Sequence, residues 1–156
     1  MLNKKGEGYI AICILIVILC MLLAIFISFV SAVNIVKQTK RNARVVLDNY
    51  VMQNSIEIYD EIKNGSTDIE DLDSFSYADA LAEFCTFEKT RVYMYSLDSE
   101  GNIQYRLTMP ILSYTTENKL MLKVSFKIII PMDFAGIHIK NAIVPVTITS
   151  ELKSKY

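Results

Sequence analysis

The stretch YIAICILIVILCMLLAIFISFVSAV, residues Tyr9 to Val33, decides the fold of this chain. It has no charged residue, and the uncharged sequence extends on both sides of it, from Gly8 to Val36. About 20 apolar residues suffice to cross the ~30 Å hydrocarbon layer as a helix, and only a helix satisfies its own backbone groups in lipid. The sequence therefore predicts one transmembrane helix over residues 9–33, with the rest of the chain as a tethered domain.

The length of this apolar run bears on whether the helix is retained. A cleaved signal peptide has an apolar region of about 7–15 residues before its cleavage site. The run here is much longer and its helical pattern continues past Ala32, which favours a permanent anchor. Val30-Ser31-Ala32 has the small residues of a cleavage site, so release after Ala32 stays open as the alternative.

Basic residues flank the predicted membrane helix on both sides. Lys4 and Lys5 precede it in a short basic leader of residues 1–8, and four follow it: Lys37, Lys40, Arg41 and Arg44. A strict positive-inside count places the large domain in the cytoplasm, but long domains translocate largely regardless of charge. We predict a single-pass cell-membrane protein with a cytoplasmic N-terminus and an extracytoplasmic C-terminal domain. The four later basic residues bind anionic headgroups or acidic groups on a partner. Alternatively, they only mark the point at which the helix leaves the membrane.

The second predicted segment, residues 34–64, continues the helix in amphipathic form. No proline or glycine occurs between Tyr9 and Asn64. Apolar residues recur at three- and four-residue spacing, which is typical of a helix with one face to bury: Val36, Ala43, Val46, Leu47, Tyr50, Val51, Ile58 and Ile62. Asn64-Gly65 is a suitable stop because glycine accepts the left-handed cap. Together the segments predict one helix of about 55 residues, roughly 80 Å long at 1.5 Å per residue.

Residues 65–156 predict one α+β domain that opens with an acidic loop. Its carboxylates are those of Asp68, Glu70, Asp71 and Asp73. A calcium site is the alternative to a solvated loop, but the spacing lacks the glycine turn and terminal Glu of a helix-loop-helix calcium site. We therefore interpret the loop as solvated.

A short helix follows the acidic loop. Ser76 is the predicted first residue of a helix over residues 76–87, because Asp79 lies three residues later as in a capping box. Leu81, Phe84 and Cys85 share one face of this helix and should pack on the core.

From Arg91 the apolar period changes to two residues, which is typical of half-buried strands. The alternating residues form four groups: Tyr93 to Leu97, Ile103 to Met109, Leu120 to Ile130, and Ile137 to Ile148. Pro110 ends the second strand or marks it as an edge, and turns are predicted over residues 116–119 and 131–136. A bulge near Asn141 would reconcile two phases in the last group. Short connections predict an antiparallel meander of about four strands, against which the outer half of the long helix packs.

The sequence offers little that points to chemistry. The net charge is -1, so no basic excess supports nucleic-acid binding. His138 is the only histidine, which leaves zinc unsupported, and no Gly-x-Ser-x-Gly turn or phosphate-binding glycine loop occurs. Cys13, Cys20 and Cys85 are interpreted as small apolar residues, or Cys13 or Cys20 bridges two copies of the helix. We therefore expect no cofactor, no metal and no enzymatic activity.

The opening residues resemble those of pilin-like proteins. Lys4-Lys5-Gly6-Glu7-Gly8-Tyr9 leads directly into the apolar helix, like the short basic leader and glycine of a type IV prepilin. The start is similar to that of TadE-like pseudopilins and, over Gly6 to Ile10, to a small uncharacterised family of Gram-positive membrane proteins linked to conjugative elements. A long helix that lies half in lipid and half across a meander also resembles the ladle shape of pilins. The resemblance implies leader processing near Gly6, Glu7, Gly8 and Tyr9, and a structural role in a pilus, secretion or conjugation assembly.

The chain departs from the pilin pattern inside the apolar helix. Pilin-like proteins usually carry a Glu five residues after the cleavage glycine, where it is thought to pair with a neighbour's new amino terminus. The matching position here is Ala11, counted from Gly6, or Cys13, counted from Gly8. This departure suits a minor or initiating subunit, or a relative that is never cleaved.

The resemblance implies that the apolar helix packs against other helices. Small residues allow close approach between helices in lipid, and the apolar run contains Ala11, Ala24, Ser28, Ser31 and Ala32. The expected partners are membrane lipid and other membrane or pilin-like subunits, further copies of this chain among them. An anchored extracytoplasmic interaction or sensor domain, unrelated to filaments, is the alternative function, and a secreted domain released after Ala32 is the third.

Overall fold

The structure, a computed structural model, describes residues 4–54, 56, 73–115, 121–134 and 137–151. The predicted helix end at Asn64-Gly65, the acidic loop over residues 68–71 and the turn over residues 116–119 lie outside these ranges.

Helix α1 runs without interruption over Lys4–Gln53, a length of 50 residues. At 1.5 Å per residue it extends about 75 Å. The predicted continuity between the apolar and amphipathic segments is confirmed over this range. Its C-terminal half places the expected stripe in the core: Ala43, Val46, Leu47, Tyr50 and Val51 are buried, and Val36 packs at the margin.

The chain has the predicted α+β architecture, with one antiparallel sheet against the outer half of α1. Helix α2 spans Ser74–Cys85. Six strands follow in the described residues: β1 Glu88–Lys89, β2 Tyr93–Leu97, β3 Ile103–Thr108, β4 Ile111–Thr115, β5 Met121–Phe134 and β6 Ile137–Glu151. Strands β1, β2, β3 and β5 are successive neighbours, β4 also pairs with β5, and β6 pairs with β5.

The expected meander of four strands is present, with β3 and β4 as two halves of one interrupted strand. Leu107 lies opposite Ile128, whereas Ile111 lies opposite Ser125, so the β3–β4 segment holds one extra residue. Pro110 lies within that break and has no N–H to donate to the ladder. The prediction that Pro110 ends a strand is confirmed, but pairing resumes directly after it. The sequence reasoning missed both β4 and the short edge strand β1.

Helix α2 corrects two predictions. It begins at Ser74 with Asp73 as N-cap residue, not at Ser76, and Asp73 makes no side-chain capping bond. Its buried stripe is Tyr77, Ala78, Leu81 and Ala82, continued by the half-buried Cys85. Phe84 lies at the margin of that stripe and is 54% exposed, so its predicted core position is wrong.

The β5–β6 hairpin is longer than predicted. The expected turn over residues 131–136 is wrong in its first part, because β5 continues through Phe134. Proline is tolerated at position 131 because β3 pairs with β5 only at Ile128 and Ile129, which leaves the edge beyond them open. The predicted bulge falls at Ile139: Met132 lies opposite Lys140 and Asp133 opposite His138.

The core lies between the two helices and one face of the sheet. Strand β5 supplies the alternating residues expected of it, with Leu122, Val124, Phe126, Ile128 and Ile130 buried. In β2 the buried residue is Met94, on the phase opposite to Tyr93 and Tyr95. These tyrosines therefore lie on the outer face of the sheet.

Candidate membrane anchor and contact surfaces

The described residues outside α1 leave its N-terminal half uncovered. Leu15 and Phe26 are 65% and 64% exposed, and the most apolar window of the helix is wholly uncovered by the rest of the chain. Among the described residues, α1 is the one helix long and apolar enough to cross a membrane. Water would surround a very large apolar surface here, so lipid or other apolar helices must cover it. The helix is compatible with a single-pass membrane anchor.

The residues at which leader processing was expected lie within the first turns of α1. Gly6, Glu7, Gly8 and Tyr9 are helical, and a methyl group added at Gly8 would meet no other atom within 4 Å. Tyr9 is exposed. No packing contact among the described residues therefore requires glycine at position 8.

The five small residues proposed for helix packing divide into two groups. Ala11 and Ala24 are exposed. Ser28, Ser31 and Ala32 instead line a groove of about 330 Å³ between α1 and the sheet, opposite Ile130, Pro131 and Met132. Ala32 is partly buried against the core. The chain's own sheet thus occupies part of the face that the sequence assigned to a partner helix.

The four basic residues after the apolar run lie on one exposed flank of α1. Lys37, Lys40, Arg41 and Arg44 follow the three- and four-residue spacing of a helix face. None of them forms an ion pair with another described residue; the pair that the structure shows joins Lys89 to Asp79. The opposite flank is the one packed on the sheet, where Thr39 is buried and its hydroxyl lies 3.4 Å from the Tyr105 hydroxyl. The basic flank is therefore available to external anions.

The outer face of the sheet carries an aromatic and cationic row that the sequence did not reveal. Tyr95, Arg106, Ile129 and Ile143 lie opposite one another across β2, β3, β5 and β6. The Arg106 guanidinium lies 5.0 Å from the centroid of the Tyr93 ring. Only the strand register brings these residues together, because they are far apart in sequence. Period-two patterning alone could not choose between the two faces of β2.

Two titratable groups are held in their neutral forms at the α1–α2 contact. Burial, with smaller contributions from Cys85 and Asp48, raises the pKa of Tyr77 well above its usual range. Burial also raises the pKa of the Cys85 thiol, partly offset by a hydrogen bond from the Asn42 side chain. Neutral buried groups of this kind stabilise packing and are poor nucleophiles.

No group of three metal-ligating side chains converges among the described residues. Cys13 and Cys20 are exposed on the apolar half of α1, and Cys85 is half-buried. For His138 the structure describes the backbone, within β6. The described surface offers apolar, basic and aromatic contact areas, and these suit binding by packing and charge.

Comparison of the chain with protein-family models, with curated proteins and with solved structures gives no match.

Proposed function

We propose that this protein is a membrane-anchored, pilin-like structural subunit of a cell-envelope pilus, secretion or conjugation assembly. The observation that carries the proposal is the uninterrupted course of α1 from an uncovered apolar half into a half packed on the sheet. A continuous helix fixes the distance and orientation of the domain relative to its anchor. A subunit that transmits position from a membrane to an outer domain needs this rigidity.

The proposed mechanism is physical. Helices in lipid associate through close packing of side chains, and Ala11 and Ala24 offer uncovered small residues for such contact. The basic flank of Lys37, Lys40, Arg41 and Arg44 would bind anionic headgroups or acidic groups of a neighbour. Membrane lipid and other subunits, including copies of this chain, are the proposed partners, and nucleic acid is not among them.

The absence of an acidic residue in the apolar run restricts the position that the chain could occupy in such an assembly. Between Gly8 and Val36 no side chain is charged, so no buried carboxylate could pair with a neighbour's amino terminus. We assign the chain to a minor or initiating position, or to an assembly that uses an uncleaved subunit. Intact-mass measurement of the protein from its membrane tests this directly: loss of six or eight residues supports processing at Gly6 or Gly8. Loss of about 32 residues would contradict the anchor and favour a secreted domain.

Assembly itself is tested by oxidative crosslinking in native membranes. Cys13 and Cys20 lie exposed on the apolar helix, so helix pairing should give a covalent dimer that Cys13→Ser or Cys20→Ser abolishes. Single cysteines placed along α1 should then crosslink with a helical period. A chain that remains monomeric at every position, with no other membrane protein attached, would contradict the subunit role.

The second candidate function is an anchored extracytoplasmic interaction domain unrelated to filaments. The outer-face row favours it through the half-buried Tyr95 and Arg106 and the exposed Ile143, because Tyr and Arg are enriched where proteins bind one another. Substitution of Arg106 by Ala would abolish partner capture under this second function and leave helix crosslinking unchanged. The two functions are thereby separable.

The proposed orientation places the N-terminus in the cytoplasm and the domain outside. A membrane-impermeant maleimide on whole cells tests it, with Glu100→Cys in a chain whose native cysteines are serine. Glu100 lies in the exposed turn between β2 and β3, so labelling without lysis is expected. Labelling only after lysis would reverse the orientation.

A further inference from the structure

Strands β5 and β6 run alongside α1 for most of their length. At one end, Ile27, Ser28 and Ser31 of α1 line a common groove with Pro131 and Met132 of β5. At the other end, the Ser150 hydroxyl of β6 donates to the Asp48 carboxylate of α1 at 2.6 Å. From Ser31 to Asp48 the helix advances about 25 Å at 1.5 Å per residue. From residue 141, opposite Pro131, to Ser150 the strand advances about 30 Å at ~3.3 Å per residue. The helix and the hairpin therefore run side by side over this span.

The hairpin continues beyond the groove in the direction of the membrane. Past the pair Pro131–Asn141, three further pairs follow, ending with Phe134 opposite Ile137. Three residues of strand span about 10 Å, which corresponds to about six or seven residues of helix. The end of β5 therefore lies level with the neighbourhood of Ala24 in α1, and Ile139 lies level with about Ile27.

These levels fall inside the apolar run. Tyr9 to Val33 extends about 37 Å at 1.5 Å per residue, somewhat longer than the ~30 Å hydrocarbon layer. A layer centred on the run would end near Ser31, so Ile139 would lie about 6 Å inside the hydrocarbon boundary and the end of β5 about 10 Å inside it. An upright α1 that spans the bilayer would therefore bring the end of the hairpin into contact with lipid.

The described side chains at this end suit such a location. Ile139 is 68% exposed at the bulge of β6, and Lys140 beside it is exposed. An exposed apolar residue next to a lysine fits the boundary between acyl chains and phosphates, where lysine extends its ammonium toward the headgroups. At the opposite end of the same strand, the exposed residues are Thr147, Thr149 and Glu151.

We propose that the end of the β5–β6 hairpin that holds Met132, Ile139 and Lys140 contacts the lipid bilayer beside α1, in the leaflet on the domain's side. The domain is then attached to the membrane at two places, which fixes its tilt and rotation about the helix axis. This proposal rests on α1 as a membrane anchor, which is part of the proposed function.

The chain contains no tryptophan, so single tryptophan substitutions give an unambiguous probe of depth. Full-length Ile139→Trp, Thr149→Trp and Leu19→Trp variants are reconstituted in vesicles of phosphatidylcholine and phosphatidylglycerol. Leu19 reports the middle of the anchor, and Thr149 is the matched control at the far end of β6. Quenching by brominated lipid and by aqueous acrylamide is measured for each variant.

Lipid quenching with protection from acrylamide is expected for the Leu19 and Ile139 probes, and the reverse for the Thr149 probe. An Ile139 probe that behaves like the Thr149 probe, while the Leu19 probe is lipid-quenched, would overturn the hairpin contact and leave the anchor intact. A Leu19 probe open to acrylamide would overturn the anchor and, with it, both proposals.

A second pair of variants uses cysteine in place of tryptophan, because tryptophan itself prefers membrane interfaces. Ile139→Cys and Thr149→Cys are compared in a chain whose three native cysteines are serine, reacted with a membrane-impermeant maleimide in the same vesicles. Lipid contact predicts several-fold slower labelling at position 139 than at position 149. Equal rates would overturn the proposal, because the protein itself leaves both positions exposed.

Discussion

The Tyr77 hydroxyl donates a 2.8 Å hydrogen bond to the backbone carbonyl oxygen of Ala43. Both residues are fully buried, and the Tyr77 ring meets the Tyr50 ring edge-on with centroids 6.0 Å apart. Helix α2 is thereby fixed to α1 at a point from which water is excluded. The contact lies in the C-terminal half of α1, which packs on the rest of the domain.

Loss of the Tyr77 hydroxyl should destabilise the domain without opening a cavity. Tyr77→Phe is expected to lower the free energy of unfolding by about 0.5–1.5 kcal/mol, the usual net value of one hydrogen bond. Denaturant unfolding of the full-length chain in detergent measures this. Tyr93→Phe is the matched control, since Tyr93 is half-exposed on the outer face. Equal losses in the two variants would contradict a special role for the bond to Ala43.

The same hydroxyl predicts a pH dependence at the alkaline end. The folded domain raises the pKa of Tyr77, chiefly by burial, so the unfolded chain releases this proton first. The associated stability is complete below the ordinary tyrosine pKa of about 10 and declines as the pH rises through it. Unfolding measured at a series of pH values should show a steeper decline above pH ~10 for the native chain than for Tyr77→Phe. Parallel curves would mean that Tyr77 ionises equally in both states.

The Cys85 thiol should react slowly with maleimide in the folded chain. Its pKa is raised by burial, which lowers the fraction of reactive thiolate. In a chain with Cys13→Ser and Cys20→Ser, labelling of Cys85 should be slower than labelling of a cysteine placed at Glu100. Denaturant should bring the two rates together. A Cys85 rate that already equals the Glu100→Cys rate in the folded chain would show that the α1–α2 contact opens readily.

Interruption of α1 at its midpoint should separate anchoring from assembly. Asn34 is exposed in the middle of α1, and proline in a helix interior costs about 3 kcal/mol and bends the helix. Under the proposed function, Asn34→Pro should leave the protein in the carbonate-resistant membrane fraction but abolish co-purification with the proposed partner subunits. Asn34→Ala is the control and should retain both. Normal assembly by Asn34→Pro would show that a rigid helix is not required.

One side-chain hydroxyl bonds to the neighbouring strand beside the break between β3 and β4. Thr108 Oγ1 accepts a 2.9 Å hydrogen bond from the Lys127 backbone N–H, next to the interruption that contains Pro110. Thr108→Val keeps the shape but removes the acceptor, and should cost about 0.5–1.5 kcal/mol of unfolding free energy. Ser113→Ala, which removes a longer exposed bond to the Lys123 carbonyl, should cost less. The reverse order would contradict this account of the break.

Patterns that one short stretch contains were predictable. The 50-residue helix followed from an apolar run with no proline or glycine after it. The core face of β5 followed from the alternating residues between Leu122 and Ile130, whereas the burial of Ile129 on the other face did not. Errors occurred where neighbours in space decided the outcome. The face of β2 was set by its pairing with β3, which buries Met94 and leaves Tyr93 outside. Strand β5 continued through Pro131 because its pairing with β3 does not extend beyond Ile129.

The candidate surfaces divide in the same way. The apolar half of α1 and the basic flank could be predicted, since each is a property of consecutive or helically spaced residues on one element. The outer-face row of Tyr95, Arg106, Ile129 and Ile143 could not, because four strands contribute one residue each. Nor could the groove that Ser28, Ser31 and Ala32 form with the chain's own sheet, which depends on how far the hairpin extends.

By itself the sequence determined that a long helix has an uncharged half and an amphipathic half, because helix formation and lipid compatibility depend on residues a few positions apart. Only the tertiary structure decided where the β5–β6 hairpin ends relative to the apolar run. The position of the hairpin along α1 depends on contacts between residues far apart in sequence. The hydrogen bond between Ser150 and Asp48 is one of them.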